Sequence, residues 1–133
     1  MTSNNLTNKN LEVIKEIDNE LSKRFINLDP LGYFLIIVDN NKREIIVEHF
    51  SNDLDSSGKA VDPETGEPIP CKGSKERKPL GVYRGQTAKE VGIKLTESKE
   101  PLPISRLDHA LYLGRELQRA ETCLSRGENY IQD

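Results

Sequence analysis

Apolar residues recur along this chain with more than one period, and each period predicts a different element. From Leu11 the residues Ile14, Ile17, Leu21, Phe25 and Leu28 follow at steps of three and four, which is one stripe of an amphipathic helix. Pro30 ends that stripe, because it disfavours a helical residue before it and has no N–H for the next hydrogen bond. The pattern then changes in "YFLIIVDNNKREIIVEHF", where residues 33–38 and 44–50 are rich in β-branched and aromatic side chains and flank the polar turn "DNNK". This predicts a β-hairpin. Its first strand is apolar at every position, as expected of a central strand covered on both faces. The second alternates Glu44, Ile46 and Glu48 with Ile45 and Val47, so one of its faces lies nearer water.

Residues 51–81 show no period and are punctuated by glycine and by Pro63, Pro68, Pro70 and Pro79, which predicts a long irregular loop held by local turns. "VYRG" after it reads as a short third strand. "GQT" at 85–87 then opens a helix through Leu95, with Ala88, Val91 and Leu95 inward and Thr87 as its cap. Beyond "PLPIS", Ser105 and Asp108 have the spacing of a capping box for the last helix, and Gly127 is its terminator. On a helical wheel Ala110, Leu113, Gly114, Leu117, Ala120 and Leu124 share the core side, with Leu107 at its edge and Gly114 read as a packing glycine. His109, Tyr112, Glu116 and Cys123 lie on the adjoining flank, and Arg115 and Arg119 on the wetter side. Glu121 falls inside the apolar stripe, where a carboxylate needs an Arg or backbone amides as partner. The fold class is therefore α+β: a small antiparallel sheet, hairpin plus third strand, covered by an N-terminal helix and two C-terminal helices. Residues 1–10 are expected to be a flexible N-terminus, and 11–133 a single domain carrying the loop at 51–81.

Charge and composition narrow the partners. Nineteen basic against 22 acidic residues give a net charge of −3, and three Phe, four Tyr and no Trp offer no stacking platform, so no nucleic acid is expected. No window reaches the roughly 18 apolar residues of a membrane span, and "MTSNNLTNKN" has no apolar leader core, so no membrane is expected and the location read is cytoplasmic. Cys71 and Cys123 are far apart and belong to no Cys/His cluster, which fits reduced thiols and no metal. "SGK" at 57–59 and "CKGSKERK" at 71–78 are lysine-rich but not Walker motifs. The N–H groups at the "GQT" helix start could receive an anion.

The segment "LDHALYLGRELQRAE" at 107–121 concentrates the candidate chemistry. His109 offers a near-neutral acid or base. Together with "DPLGYFLI", "AVDPETGEPIPCKG", "GQTAKEV" and "GENYIQD", it resembles an uncharacterised family of small cyanobacterial proteins, over residues 29–133. A related domain occurs in archaeal proteins beside a pterin-binding domain similar to dihydropteroate synthase. The shared pattern singles out His109, Tyr112, Gly114, Arg115, Glu116 and Glu121 and implies no particular activity or cofactor. Association with pterin-binding domains raises the prospect of a folate-like or pterin-like ligand. Three readings remain. The first is a ligand- or partner-binding protein linked to pterin or folate metabolism, with His109, Tyr112, Arg115, Glu116, Glu121 and Thr87 as candidate contacts to a small anionic or pterin-like ligand. The second is an enzyme of pterin or one-carbon chemistry that uses His109 with Glu116 or Glu121. The third is a homodimer packed through Leu111 and the Tyr112 flank.

Overall fold

The computed structural model describes residues 22–69 and 78–130. Within these residues six strands and two helices follow in the order β1 (Lys23–Asp29), β2 (Gly32–Asp39), β3 (Glu44–Ser51), β4 (Asp53–Leu54), β5 (Ala60–Val61), β6 (Gly81–Gly85), α1 (Ala88–Thr96) and α2 (Leu107–Arg126). The main sheet is antiparallel with strand order β1-β2-β3-β6. The hairpin forms as its alternation predicts, with Tyr33 opposite Phe50, Ile36 opposite Val47 and Val38 opposite Ile45. "VYRG" becomes β6, the outer neighbour of β3.

The two-residue repeat sorts side chains onto two faces. Phe34, Ile36, Val38, Ile45 and Val47 point at the helices and meet Ala88, Val91 and Leu95 of α1 and Leu113, Leu117, Ala120 and Leu124 of α2. Tyr33, Leu35 and Phe50 form a second cluster with Phe25, Ile37 and Ile69. β2 is thus buried on both faces, which accounts for its unbroken apolar run. Burial of each of the three α2 leucines contributes about 1.5–3 kcal/mol.

Three expectations are corrected. The predicted N-terminal helix was to run through Phe25 and Leu28, but these residues belong to β1, where Phe25 pairs with Leu35 and Ile26 with Phe34. A stripe at three- and four-residue steps ignores Ile26, and the open hydrogen-bonding edge of β2 claims that segment. Residues 11–21 of that helix lie outside the described residues. On α2, Ala110 and Gly114 are exposed, and a Cβ on Gly114 would meet no atom within 4 Å, so it is no packing glycine. The buried face has instead rotated toward Glu116. The capping box is also absent: Arg106 is the N-cap and makes no side-chain cap bond, because Asp108 binds the Arg106 guanidinium and the Ser105 hydroxyl is engaged with Asp29.

The region after β3 is not wholly irregular, since β4 and β5 pair with each other. Asp55 closes their turn by accepting from the Ser57 and Lys59 amides at 2.9 Å. A second turn is closed by Asp62, which accepts from the Glu64 amide at 2.8 Å. Residues 70–77 of this stretch lie outside the described residues. At the start of β2 the chain before α2 passes so close that a Cβ on Gly32 would lie 2.3 Å from the Phe50 carbonyl oxygen and 2.8 Å from the Pro103 Cβ.

Candidate functional site

The buried positions of α2 begin at Leu113, which leaves its first turns open to solvent. A cleft of about 550 Å³ lies there, lined by Leu28 from β1 and by Asp108, His109, Leu111, Tyr112 and Arg115 from α2. Steps of three residues carry His109, Tyr112 and Arg115 past the cleft, so Arg115, which the wheel puts on the wetter side, joins the His109–Tyr112 flank there.

His109 is half-buried, and its Nδ1 is enclosed with no hydrogen-bond partner among the described residues. Two carboxylates act on it electrostatically. Asp29 is buried and held below the usual carboxylate range, chiefly by the Leu31 amide at 2.9 Å, then by Ser105, with a smaller contribution from His109. Asp108 is exposed, and its two-point bond with Arg106, at 2.9 and 2.5 Å, holds it at about 2. The two carboxylates place negative charge at this end of the cleft.

Tyr112 forms the next part of the wall. The Arg115 guanidinium lies 5.6 Å from its ring centroid, and its hydroxyl accepts from Arg24 Nη2 at 3.4 Å. That bond is the largest cause raising the already basic Arg24 guanidinium further.

Glu116 occupies the same flank but does not reach the cleft. It is buried, and its Oε1 lies 3.0 Å from Arg24 Nε and 3.7 Å from Arg119 Nη1. The same oxygen accepts from the Tyr130 hydroxyl at 2.7 Å. Tyr130 is fully buried beneath the Arg119 guanidinium, and burial together with the Glu116 bond pushes its phenol well above the ordinary range. A buried carboxylate with these partners is compensated in place.

Glu121 and Thr87 meet at the start of α1. Glu121 Oε1 accepts the Ala88 amide at 2.6 Å, which is the backbone-amide partner expected of a carboxylate in an apolar stripe. Thr87 caps the helix by accepting from the Glu90 amide at 3.1 Å, and Glu90 in turn takes the Gln86 amide at 2.8 Å. The protein's own oxygens thus take the Gln86, Ala88 and Glu90 amides at the helix start where the sequence suggests an anion.

Of the six candidates, His109, Tyr112 and Arg115 come together on the cleft, whereas Glu116 and Glu121 hold elements to one another and Thr87 caps α1. Arg24, Asp29, Leu28 and Tyr130 were missed. For Tyr130 and Asp29 a signal existed in the "GENYIQD" and "DPLGYFLI" motifs; Arg24 lies within the apolar stripe that predicts a helix and gives none. Cys123 is a free, half-buried thiol whose pKa is raised, first of all, by burial. Among the described residues no three His, Cys, Asp or Glu side chains gather as a metal set, and no helix is long and apolar enough to cross a membrane.

Fold and site define a small α+β protein with an open, mixed polar and apolar cleft on one helix. Residues 28–133 match the family described as PterinBD-DUF4346, and the chain belongs to that family. It is 50% identical to a Ycf91-like protein of Nostoc sp. over 92% of this chain and 97% of the relative. It is 25% identical to the uncharacterised protein ycf91 of Pyropia yezoensis, over 86% of this chain and 80% of that one. An uncharacterised protein of Methanocaldococcus jannaschii is 31% identical over 86% of this chain, which spans only 21% of that relative. No solved structure matches.

Proposed function

We propose that this chain is a cytoplasmic binding protein whose α2 cleft takes a pterin-like or folate-like ligand. The observation that carries the reading is the convergence of His109, Tyr112 and Arg115 with Leu28 and Leu111 around a single open cleft. A flat nitrogen heterocycle needs an apolar wall and a few polar groups at its rim. Leu28, Leu111 and Tyr112 supply the wall, Asp108 and His109 the rim, and Arg115 a fixed cation for an anionic tail. The family's description, which carries the pterin-binding term, supports this ligand class over other heterocycles. An acid–base role for His109 with Glu116 or Glu121 gains no support, since both carboxylates are engaged elsewhere.

The test is a titration with pterin, folate and a nucleotide, followed by ligand fluorescence or calorimetry. Pterin or folate should bind the parent. His109→Ala and Arg115→Ala should each weaken binding by about fivefold or more, on the order of 1 kcal/mol, with melting temperature nearly unchanged. Absence of binding by all three probes, or parent-like affinity in both variants, overturns the reading.

A second reading, self-association through α2, is favoured by Leu107 and Leu111, which are 76% and 65% exposed and one turn apart. Sedimentation velocity should then show a concentration-dependent dimer that Leu111→Lys abolishes; a monomer at all concentrations rejects it.

A further inference from the structure

The segment after α2 is tied down at three separate places. Gly127 turns the chain with φ 67°, and the Glu128 carbonyl then accepts from Asn40 Nδ2 at 3.1 Å in the β2–β3 turn. Asn129 Oδ1 accepts from the Ser22 hydroxyl at 3.0 Å, just before β1. Tyr130 ends up fully buried, with its hydroxyl 2.7 Å from Glu116 Oε1. Its role in packing is clear, but its polar end meets an oxygen that also holds Arg24, and Arg24 in turn reaches Tyr112 on the wall of the cleft.

We propose that Tyr130 governs Tyr112 through Glu116 and Arg24, so that the cleft wall keeps its binding shape only while the 127–130 segment is docked. Glu116 Oε1 is held between the Tyr130 hydroxyl and Arg24 Nε at 3.0 Å, and Arg24 Nη2 reaches on to the Tyr112 hydroxyl at 3.4 Å. A buried carboxylate that loses one donor must recover the interaction from another. Arg24 and Arg119, the latter 3.7 Å away, are the cations at hand. Movement of Arg24 toward Glu116 stretches a contact to Tyr112 that is already long for a hydrogen bond. The Tyr112 ring, stacked under Arg115, is then released from its position along the cleft. Linkage works in both directions, so a ligand that fixes Tyr112 tightens the docking of Tyr130 by the same factor. The consequence for binding rests on the ligand reading above, whereas the coupling between the two tyrosines does not.

The experiment uses the full chain labelled with 3-fluorotyrosine, with Tyr112→Phe to assign the Tyr112 resonance and the Tyr83 resonance as internal reference. Tyr130→Phe keeps the ring and removes only the hydroxyl; Arg24→Met keeps the stem and removes the guanidinium. Both should shift or broaden the Tyr112 signal while that of Tyr83 stays in place. Both should also weaken pterin binding by about threefold or more, on the order of 0.7 kcal/mol. A double variant should be no worse than the poorer single one, because the two act along one path. A Tyr112 resonance unchanged in the folded variants overturns the proposal even if pterin binds. If Tyr130→Phe does not fold, the Tyr112 signal in Arg24→Met decides. If the parent binds no pterin, the ligand reading falls, and the resonance still decides the coupling.

Discussion

Glu116 and His109 lie two turns apart on one flank of α2, yet their surroundings give them opposite roles. Glu116 is buried against Arg24 and Tyr130, so Glu116→Ala leaves Arg24 without its carboxylate and should destabilise the fold by about 3–5 kcal/mol. Glu121 accepts a single backbone amide, and Glu121→Ala should cost about 1 kcal/mol. His109 Nδ1 has no partner, so His109→Ala should change stability by no more than about 0.5 kcal/mol. Urea unfolding of the three variants checks the order, and a His109→Ala loss as large as that of Glu116→Ala would make His109 structural. Their shared flank was legible from helical spacing. Which of them is buried was not, because burial depends on Arg24 and Tyr130, which arrive from other elements.

Within the elements, glycines at two positions respond oppositely to the same substitution. Gly32 lies under the Pro103 crossing, and Gly32→Ala forces the Phe50 carbonyl and Pro103 apart, at a cost of about 1–3 kcal/mol. Gly114 is helical and faces open space, so Gly114→Ala should stabilise by up to about 1 kcal/mol. Thermal melts of the two variants should therefore move in opposite directions; a destabilised Gly114→Ala would mean that another surface packs there. The β2–β3 hairpin and α1 were legible because their signals are local: alternation about a short polar turn, and Thr87 with inward Ala88, Val91 and Leu95. β1 was not, because its pairing with β2 rather than its own periodicity decides its conformation.

Across the whole molecule, acid should act through His49. It is fully buried on the helix side of the sheet, stacked on Tyr83 with ring centroids 6.1 Å apart and set edge-on to Phe34. Its Nδ1 lies 3.4 Å from the Tyr83 hydroxyl, which bonds to Ser98 Oγ at 2.6 Å, and its Nε2 has no partner among the described residues. Burial lowers its pKa, against a smaller opposing pull from Glu100. The unfolded chain then holds the proton more tightly, so stability is full above the ordinary histidine pKa of about 6.5 and declines as pH falls through it. Melting temperatures between pH 8 and 5 should fall in the parent and stay flatter in His49→Phe; equal declines would exclude His49 as the cause.

The sequence by itself determined the α+β class, the hairpin, α1, the extent of α2 and the helix flank that carries His109 and Tyr112. These follow from period, turn chemistry and capping, which act over a few residues. Only the tertiary structure decided that Glu116 turns inward, that Arg24 belongs to a strand and that Leu28 closes the cleft. Arg24 and Tyr112 are 88 positions apart, and Ser22 and Asn129 are 107 apart. Such contacts leave no period in the chain. A buried charge selects its partner from whatever the packed elements bring within a few ångströms, and that choice is made only when the sheet and α2 have closed on each other.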